Sequence, residues 1–352
     1  MLVAILADSH FNVRNGSIQF QTYFEKFITN HIIPTLDKMN IKKIIHLGDF
    51  TDNRKYVNTQ IMSRIRETFI EPIVAREIET DFILGNHDVY LKNTNKISSP
   101  NEFLRTYPKF RIFDETTHIK IDNLDCLYIP WINSENQEKS LNTIKNSYAS
   151  VVFGHLELQS FLMYPGVYCE HGLDKTLFKK FKQVWSGHFH TSSFQDNIFY
   201  CGNLWQLTFA DMFGDKGFYI LDTETLERTF VKNPYKMFNR IEYNDKDRNL
   251  SDVMQMDFSI LKDSYVKIVV NSKTNPYYFD RFIDAIQKCE PFNYSVIDNT
   301  QLGITEDDVA LETEDTITIL NKSIDNLDTE LDKNKLKQMI QRLYTEASGM
   351  EN

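Results

Sequence analysis

The chain has 352 residues, 41% of them hydrophobic, which predicts a large core divided between two domains and followed by a tail. Its formal net charge of −10 argues against a protein that coats nucleic acid by charge alone, so any such affinity needs a local site, a bound metal or a partner. The four cysteines are spread without a C-x-x-C pair, which argues against a zinc clip or a disulfide scaffold and favours reduced, cytoplasmic thiols.

The N-terminal elements alternate between short β-like runs and helical patterns, which is typical of α/β organisation. Residues 2–7 predict a buried strand, and because this run is too short for a signal peptide or a membrane helix, we expect no membrane association. Residues 17–39 place Phe24 and Phe27 at helical spacing, and Pro34 is expected to kink or split that helix.

The elements that follow continue this alternation. Residues 41–47 predict a second strand, residues 58–78 a helical region that Pro72 interrupts, and residues 81–84 a third strand. The later β-like runs are residues 119–129, 149–153, 183–186, 198–200 and 218–222.

Polar side chains that can bind metals follow five of these predicted strands. Five of the nine histidines fall at strand ends, several of them behind a glycine, and a scatter of exposed histidines would not produce this pattern. The residues are Asp8 and His10 after the first strand, Asp49 and Asp52 after the second, Asn86, His87 and Asp88 after the third, His155 after residues 149–153, and His188 and His190 after residues 183–186.

The chemistry that suits such a set is a two-metal site. Two divalent cations roughly 3.5–4 Å apart need a bridging carboxylate and mixed nitrogen and oxygen ligands, with positions left for water and a phosphate oxygen. We assign the bridge to Asp49. Because alternate side chains of an extended backbone project the same way, Asp8 and His10 are expected to converge on one ion. The predicted sets are Asp8, His10 and His190 for one metal, and Asn86, His155 and His188 for the other.

The order of the motifs resembles a known family. The motifs D-x-H, G-D-x-x-D, G-N-H-D, G-H and G-H-x-H occur in this order between residues 8 and 190. They are similar to those of the calcineurin-like metallophosphoesterase superfamily. This resemblance implies a four-layer α/β fold, a β-sandwich flanked by helices, to which a small α/β capping domain and a C-terminal helical tail are added.

Within that superfamily the chain is similar to the nuclease subunits of phage recombination endonucleases, relatives of the SbcD-type double-strand-break repair nucleases. One segment departs from the pattern. Where many relatives carry a small hydroxyl residue and a proline, this chain reads YCGNLWQL at residues 200–207, so one wall of the site is expected to differ while the proposed ligands stay intact. The similar segments are GDFTDNRK at 48–55, GNHD at 85–88, IPW at 129–131, WSGHFHT at 185–191 and GFYILDTET at 217–225.

The resemblance implies an exonuclease and endonuclease that hydrolyses DNA phosphodiesters in recombination and double-strand-break processing, in the host cytoplasm if a phage encodes it. Two divalent ions are implied, Mn²⁺ foremost, with Mg²⁺, Fe²⁺ and Zn²⁺ as alternatives. His87 is implied to point at the substrate and to donate toward the leaving group. Asp52 is expected to accept a hydrogen bond from His87 and fix its tautomer. Arg54 is a candidate phosphate contact, with a solvated loop charge as the alternative.

Other enzymes with similar ligands differ from this chain at particular residues. Protein Ser/Thr phosphatases typically read G-D-x-x-D-R-G and G-N-H-E, whereas this chain has Asn53 after Asp52 and Asp88 in place of the glutamate. We expect Asp88 to hold its own loop. A small-molecule phosphodiesterase of the same superfamily and a metal-free scaffold remain the alternatives. Residues expected to be structural are the histidines 31, 46, 118 and 171 and the tryptophans 131, 185 and 205.

The sequence predicts a catalytic region followed by three further parts. Residues 1–227 predict the nuclease domain, and residues 228–304 a small α/β domain that the resemblance implies caps the active-site groove and positions DNA. Residues 305–316 predict an acidic linker, and residues 317–352 two amphipathic helices. The resemblance implies that these helices dock an SbcC-type coiled-coil ATPase, and that a homodimer forms through helices such as those of residues 58–78.

Overall fold

The computed structural model describes residues 1–164 and 166–299, together with positions 333, 335–337 and 339. The chain divides into two compact units, Met1–Asn239 and Arg240–Asn352. The predicted acidic linker lies outside the described residues, and so do the predicted C-terminal helices apart from those few positions.

The strands are numbered in chain order. They are β1 (Leu2–Leu6), β2 (Lys43–His46), β3 (Glu79–Ile83), β4 (Phe110–Phe113), β5 (Thr117–Ile121), β6 (Leu124–Ile129), β7 (Val151–His155), β8 (Leu162–Tyr164), β9 (Val167–Tyr168), β10 (Gln183–Gly187), β11 (Ser193–Gln195), β12 (Ile198–Tyr200), β13 (Gly217–Asp222), β14 (Arg228–Lys232), β15 (Phe238–Asn244), β16 (Tyr265–Ser272) and β17 (Asn293–Asp298).

Two six-stranded sheets organise the first unit. The first sheet has the order β14-β13-β1-β2-β3-β4, and the second has the order β11-β12-β10-β7-β6-β5. In both, the central strands are parallel and antiparallel strands lie at an edge. Because β14 pairs with β13, the segment that directly follows residue 227 belongs to the first sheet.

The main core fills the space between these two sheets. Alternate residues of β1, such as Val3 and Ile5, point into it from the first sheet, and Tyr128, Phe153 and Trp185 point into it from the second. Each of these side chains is fully buried. Alternation along strands places one face of each sheet against this core and the opposite face against other elements.

Helices cover the outer faces of both sheets, which gives the four layers that the resemblance implies. On the first sheet, Phe27 contacts Phe218 of β13, and on the second sheet Ile144 packs against Leu127 and Val152. The α/β fold class predicted from the sequence is therefore confirmed. The helices are α1 (Val13–Gly16), α2 (Ile18–Phe27), α3 (Ile33–Lys38), α4 (Thr59–Ile65), α5 (Glu71–Ala75), α6 (Ser99–Leu104), α7 (Gln137–Asn146), α8 (Leu250–Val253) and α9 (Pro276–Lys288), with 3₁₀ turns at Lys175–Phe178, Phe209–Met212 and Phe258–Leu261.

Both proline-containing helical regions contain a wider π-helical turn just before the proline. The turns are Ile28–Ile32, between α2 and α3, and Arg66–Ile70, between α4 and α5. In each, the residue before the proline donates its N–H to the carbonyl five residues earlier. A proline supplies no N–H and its ring crowds the preceding turn, so a wider turn lets the chain stay helical.

The β-like run of residues 119–129 is a correction to the predicted elements. It is a hairpin in which β5 pairs antiparallel with β6, rather than one strand. Asp122 adopts a left-handed φ of 55° in the turn, a conformation that Asp tolerates better than most residues.

The second unit contains a three-stranded sheet in the order β15-β16-β17. Strands β16 and β17 are parallel, and α9 connects them. Phe282 and Ile286 of α9 are buried against Val266 and Ile268 of β16, which agrees with the helical spacing in the sequence. The side chain of Asn275 caps this helix by accepting from the N–H of Tyr277.

Candidate metal centre

The carboxyl ends of β1, β2, β3, β7 and β10 bring the predicted ligands together. Parallel strands end at a common edge, so residues distant in the sequence meet there. Three groups each place one ligand atom per residue within 4.8 Å of the others. These groups are Asp8, His10 and His190, then His10, Asp49 and His87, and then Asp49, His155 and His188.

The first predicted metal position lies between Asp8, His10 and His190. The Nε2 atoms of His10 and His190 are 3.0 Å apart, and Nδ1 of His10 is 3.1 Å from Oδ1 of Asp52. When neutral His10 donates through Nδ1, its Nε2 carries a lone pair that faces the other imidazole. Oδ2 of Asp8 is fully buried and has no hydrogen-bond partner among the described residues. Buried carboxylate oxygens are normally paired, so this set fits a cation.

The second predicted position lies between Asn86, His155 and His188. Oδ1 of Asn86 is 2.8 Å from Nε2 of His155 and 2.9 Å from Nδ1 of His188. His155 donates its Nδ1–H to the carbonyl oxygen of Leu47 at 2.8 Å, which leaves a lone pair on Nε2. Two electron-pair donors thus face each other with no proton between them in the neutral state. A divalent cation satisfies both.

Asp49 lies between these two positions. Its Oδ2 is 3.5 Å from Nε2 of His10 and 3.4 Å from Nε2 of His155, and its Oδ1 accepts from the N–H of His87 at 2.8 Å. One carboxylate oxygen therefore reaches toward both ligand sets, which is the geometry expected of a bridging ligand.

The loops that carry these residues adopt conformations that most residues avoid. Asp8, His10, Asp49 and His188 have left-handed φ values of 49°, 43°, 54° and 90°. Each such position costs on the order of 1–3 kcal/mol and persists only where surrounding contacts enforce it. A Cβ on Gly85 would lie 2.2 Å from Oδ1 of Asp49, so glycine allows this close approach.

The environment of His87 corrects one sequence-based expectation. Nδ1 of His87 donates to the backbone carbonyl of Asp52 at 2.7 Å, and not to the Asp52 carboxylate, which faces His10 instead. The carbonyl fixes the tautomer that the carboxylate was expected to fix, because the loop turns the side chain of Asp52 toward His10. Nε2 of His87 is then the ring atom available to a substrate.

Two further residues of the same loops have structural contacts. Oδ1 of Asp88 accepts from the N–H groups of Phe50 and Thr51, and its Oδ2 accepts from the N–H of Gly85. Asp88 thus ties the loop after β3 to the loop after β2. Nε of Arg54 donates to the carbonyl of Asn86 at 2.7 Å, so this half-buried residue is not a freely solvated loop charge. Its contact with phosphate stays a prediction.

The pKa values of the histidines differ within the centre. Burial disfavours the charged form of His10, but its hydrogen bond to Asp52 and the charges of the neighbouring carboxylates outweigh burial and raise its pKa to about 9. Burial lowers the pKa of His155 to about 4 and that of His190 to about 3. In the metal-free protein at neutral pH, a proton on His10 therefore partly offsets the acidic charge of the centre.

Metal affinity is therefore expected to increase with pH. The folded, metal-free His10 has a pKa above its ordinary value, so it binds a proton below about pH 9, and metal binding must displace that proton. We expect the Mn²⁺ affinity of the first position to fall by at least about tenfold per pH unit below that value. His155 and His190 are already neutral there. Calorimetry in buffers of different ionisation enthalpy measures affinity and proton release, and affinity that does not change with pH would contradict this assignment.

Sequence reasoning did not identify Glu157 and misjudged the environment of Trp131. Oε2 of Glu157 accepts from Nε2 of His188 at 3.2 Å, which orients Nδ1 of His188 toward Asn86. The only sequence signal is its position two residues after His155. The indole of Trp131 is half-buried and packs against His188, and it lines a cleft of about 510 Å³ beside the second metal position.

The fold and the site define the class of protein. The chain belongs to the calcineurin-like phosphoesterase family, whose family model matches residues 1–192, and this family uses divalent metals. The resemblance inferred from the motifs is confirmed. Within the described residues, no helix combines the length and apolar character that crossing a membrane requires.

Two known proteins are similar to this chain over most of its length. It is 31% identical over 314 residues to exonuclease subunit 1 of Enterobacteria phage T4, an alignment that covers 88% of this chain and 89% of that protein. It is 23% identical over 311 residues to a subunit of the nuclease SbcCD of Staphylococcus epidermidis, covering 79% of this chain and 78% of that protein.

Proposed function

We propose that this chain is the nuclease subunit of a DNA exonuclease and endonuclease that acts in recombination and double-strand-break processing. The observation that carries the proposal is the position of Asp49, with one oxygen directed toward both His10 and His155. The similarity to two nuclease subunits over most of the chain supports DNA as the substrate.

The residues present fit two divalent cations, and we propose Mn²⁺ as the preferred metal. Asp8, His10, His190 and Asp49 would hold one ion, while Asn86, His155, His188 and Asp49 would hold the other. Such ions supply Lewis acidity and an activated water at neutral pH. A mixture of imidazole nitrogen and carboxylate or amide oxygen ligands suits Mn²⁺, and Mg²⁺, Fe²⁺ or Zn²⁺ can also bind to such a set.

His87 is the proposed catalytic residue outside the ligand set. Its backbone N–H donates to Asp49 and its Nδ1–H donates to the carbonyl of Asp52, so both the main chain and the ring are held. With Nδ1 engaged, Nε2 bears a proton only in the imidazolium form. A phosphodiester monoanion or developing alkoxide near Nε2 favours that form, and the ring then transfers the proton to the leaving oxygen.

Cleavage of linear and hairpin DNA with Mn²⁺ tests the proposal. We expect both DNAs to be cut, and cutting to stop when the metal is chelated. A small-molecule phosphodiesterase would instead hydrolyse bis(p-nitrophenyl) phosphate and leave both DNAs intact. A metal-free scaffold would bind no stoichiometric Mn²⁺ and cleave neither substrate, so the three outcomes are distinct.

The proposal includes partners for the nuclease subunit. Both similar proteins are named as subunits, which supports an assembly with a second protein, and we propose an SbcC-type coiled-coil ATPase. We also propose that residues 228–304 help position DNA and that the catalytic domain forms a homodimer through α4 and α5. Sedimentation of the purified chain tests the homodimer.

Removal of residues 316–352 is expected to abolish co-purification with the ATPase. The two apolar stripes in that segment need a surface to cover them, and a coiled-coil partner provides one. Mn²⁺-dependent cleavage by the isolated subunit should persist, because every proposed ligand lies between residues 8 and 190. A truncated chain that still binds the ATPase, or whose catalytic domain unfolds, would show that this segment has another role.

A further inference from the structure

We propose that Trp205 is a positioning residue for the first metal position, acting through the backbone of the Asp8–His10 turn. Its indole Nε1–H donates to the carbonyl oxygen of Ser9 at 2.9 Å, across 196 residues of sequence. Ser9 lies between the two proposed ligands Asp8 and His10. The inference rests on the proposed metal centre and assigns a role to the segment that departs from the pattern of its relatives.

The Asp8–His10 turn has backbone contacts on one side from the end of β2. The N–H of Asp8 donates to the carbonyl of Gly48, and the N–H of His10 donates to the carbonyl of Asp49. Ser9 also uses its hydroxyl on that side, toward the carbonyl of Phe50. The carbonyl of Ser9 accepts from Trp205, which comes from a different part of the chain.

The turn needs this support because its conformation is strained. Asp8 and His10 both have left-handed φ values, of 49° and 43°, and neither is a glycine. A peptide unit between two such residues relaxes unless its polar groups are held. Rotation of the Ser9 peptide would turn the Asp8 carboxylate and the His10 ring away from each other, which weakens their joint binding of one ion.

The position of Trp205 is itself well defined. Its ring is fully buried and stacks on Phe24 of α2, with centroids 4.1 Å apart and planes 13° apart. It also packs against Phe11, at 5.5 Å between centroids. Aromatic packing on both neighbours holds the indole N–H at one place, so the hydrogen bond is pre-organised rather than adaptable.

The segment of residues 200–207 also passes close to the backbone of the third ligand of this position. A Cβ on Gly202 would lie 3.0 Å from the carbonyl oxygen of His190, and Gly202 has a left-handed φ of 69°. The segment is anchored further along, where Oε1 of Gln206 accepts from the N–H groups of Met237 and Phe238. One segment therefore holds the carbonyl of Ser9, between Asp8 and His10, and passes close to the backbone of His190.

Trp185 provides a matched control for a purely structural role. It is also fully buried and stacked, on Phe199, and its indole N–H donates to Oε1 of Gln183 at 3.1 Å. Replacing either tryptophan by phenylalanine removes one indole N–H and leaves a similar void in the core. The two variants differ in that the carbonyl freed by Trp205→Phe belongs to the metal-binding turn.

The experiment measures Mn²⁺ binding to the full-length wild type, Trp205→Phe and Trp185→Phe by calorimetry, with thermal unfolding of each. We expect both variants to lose similar stability. Trp205→Phe should weaken Mn²⁺ at one of the two positions by about tenfold to a hundredfold, with activity recovered at high Mn²⁺. Trp185→Phe should bind Mn²⁺ as the wild type does.

Unchanged Mn²⁺ affinity in Trp205→Phe, or an equal loss in Trp185→Phe, would overturn the assignment. If Trp205→Phe does not fold, benzothienylalanine at position 205 replaces it, since this residue keeps the bicyclic ring and lacks the N–H. The same affinity loss is expected there. If the wild-type protein binds no Mn²⁺, the proposed metal centre is wrong. If it binds two ions but does not cleave DNA, only the proposed nuclease activity is wrong.

Discussion

Asp49→Ala is expected to lose both bound metals and all phosphodiester hydrolysis together. Oδ2 of Asp49 lies 3.5 Å from Nε2 of His10 and 3.4 Å from Nε2 of His155, so its removal takes a ligand from each position. It also removes the acceptor for the N–H of His87. Metal content by mass spectrometry and hydrolysis of DNA and bis(p-nitrophenyl) phosphate should both fall to background.

A surface aspartate serves as the control for this variant. Asp215 is exposed and pairs with Lys232, and exposed ion pairs contribute little. Asp215→Ala should therefore retain two metals and full activity. If folded Asp49→Ala keeps two tightly bound ions, the bridging role belongs to another residue.

His87→Ala is expected to keep both metals and to lose about 10²–10⁴-fold in the rate of DNA cleavage. In the proposed role the ring acts on the leaving oxygen, and the proposed ligands remain in place in the variant. The loss should be much smaller for bis(p-nitrophenyl) phosphate, because p-nitrophenolate is a weak base that leaves without a proton. Single-turnover rates on both substrates, with metal content measured in parallel, test this difference.

The comparison of the two substrates separates proton donation from a structural effect. His118 is a suitable control, since it stacks on Tyr148 and contacts Ser147 away from the centre, and His118→Ala should cleave both substrates normally. Loss of metal from a folded His87→Ala protein would instead place His87 among the ligands. Equal losses of rate on both substrates would show that His87 does not donate a proton to the leaving group.

Local sequence patterns were sufficient for the fold class and for the set of residues that meet at the centre. Apolar runs identified the strands, and polar residues such as Asp49 and Asn86 followed directly after them. Parallel strands deliver such residues to one edge whatever the details of packing, so strand order along the chain already implied convergence. For the same reason, the family could be inferred from the order of its motifs.

The predicted elements differ from the structure where a local sequence pattern is compatible with two backbone conformations. The run of residues 119–129 is apolar enough for a single strand, but the turn at Asp122 makes it a hairpin. Pro34 was expected to kink or split its helix and Pro72 to interrupt its helical region, and in both regions a π-helical turn just before the proline keeps the chain helical. In each case the packing of the surrounding layers selects between conformations that the sequence favours almost equally.

By itself, the sequence determined which polar residues meet at one edge of the strands, because their types and strand-end positions are local properties. Only the tertiary structure decided what holds them. The acceptor for His87 is the carbonyl of Asp52 because the Asp52 side chain faces His10, and the partner of His188 is Glu157, which follows β7. The hydrogen bond from Trp205 to Ser9 joins residues 196 apart. Such contacts depend on how strands and helices pack against each other. They produce no periodic pattern in the sequence around either residue, so the sequence does not predict them.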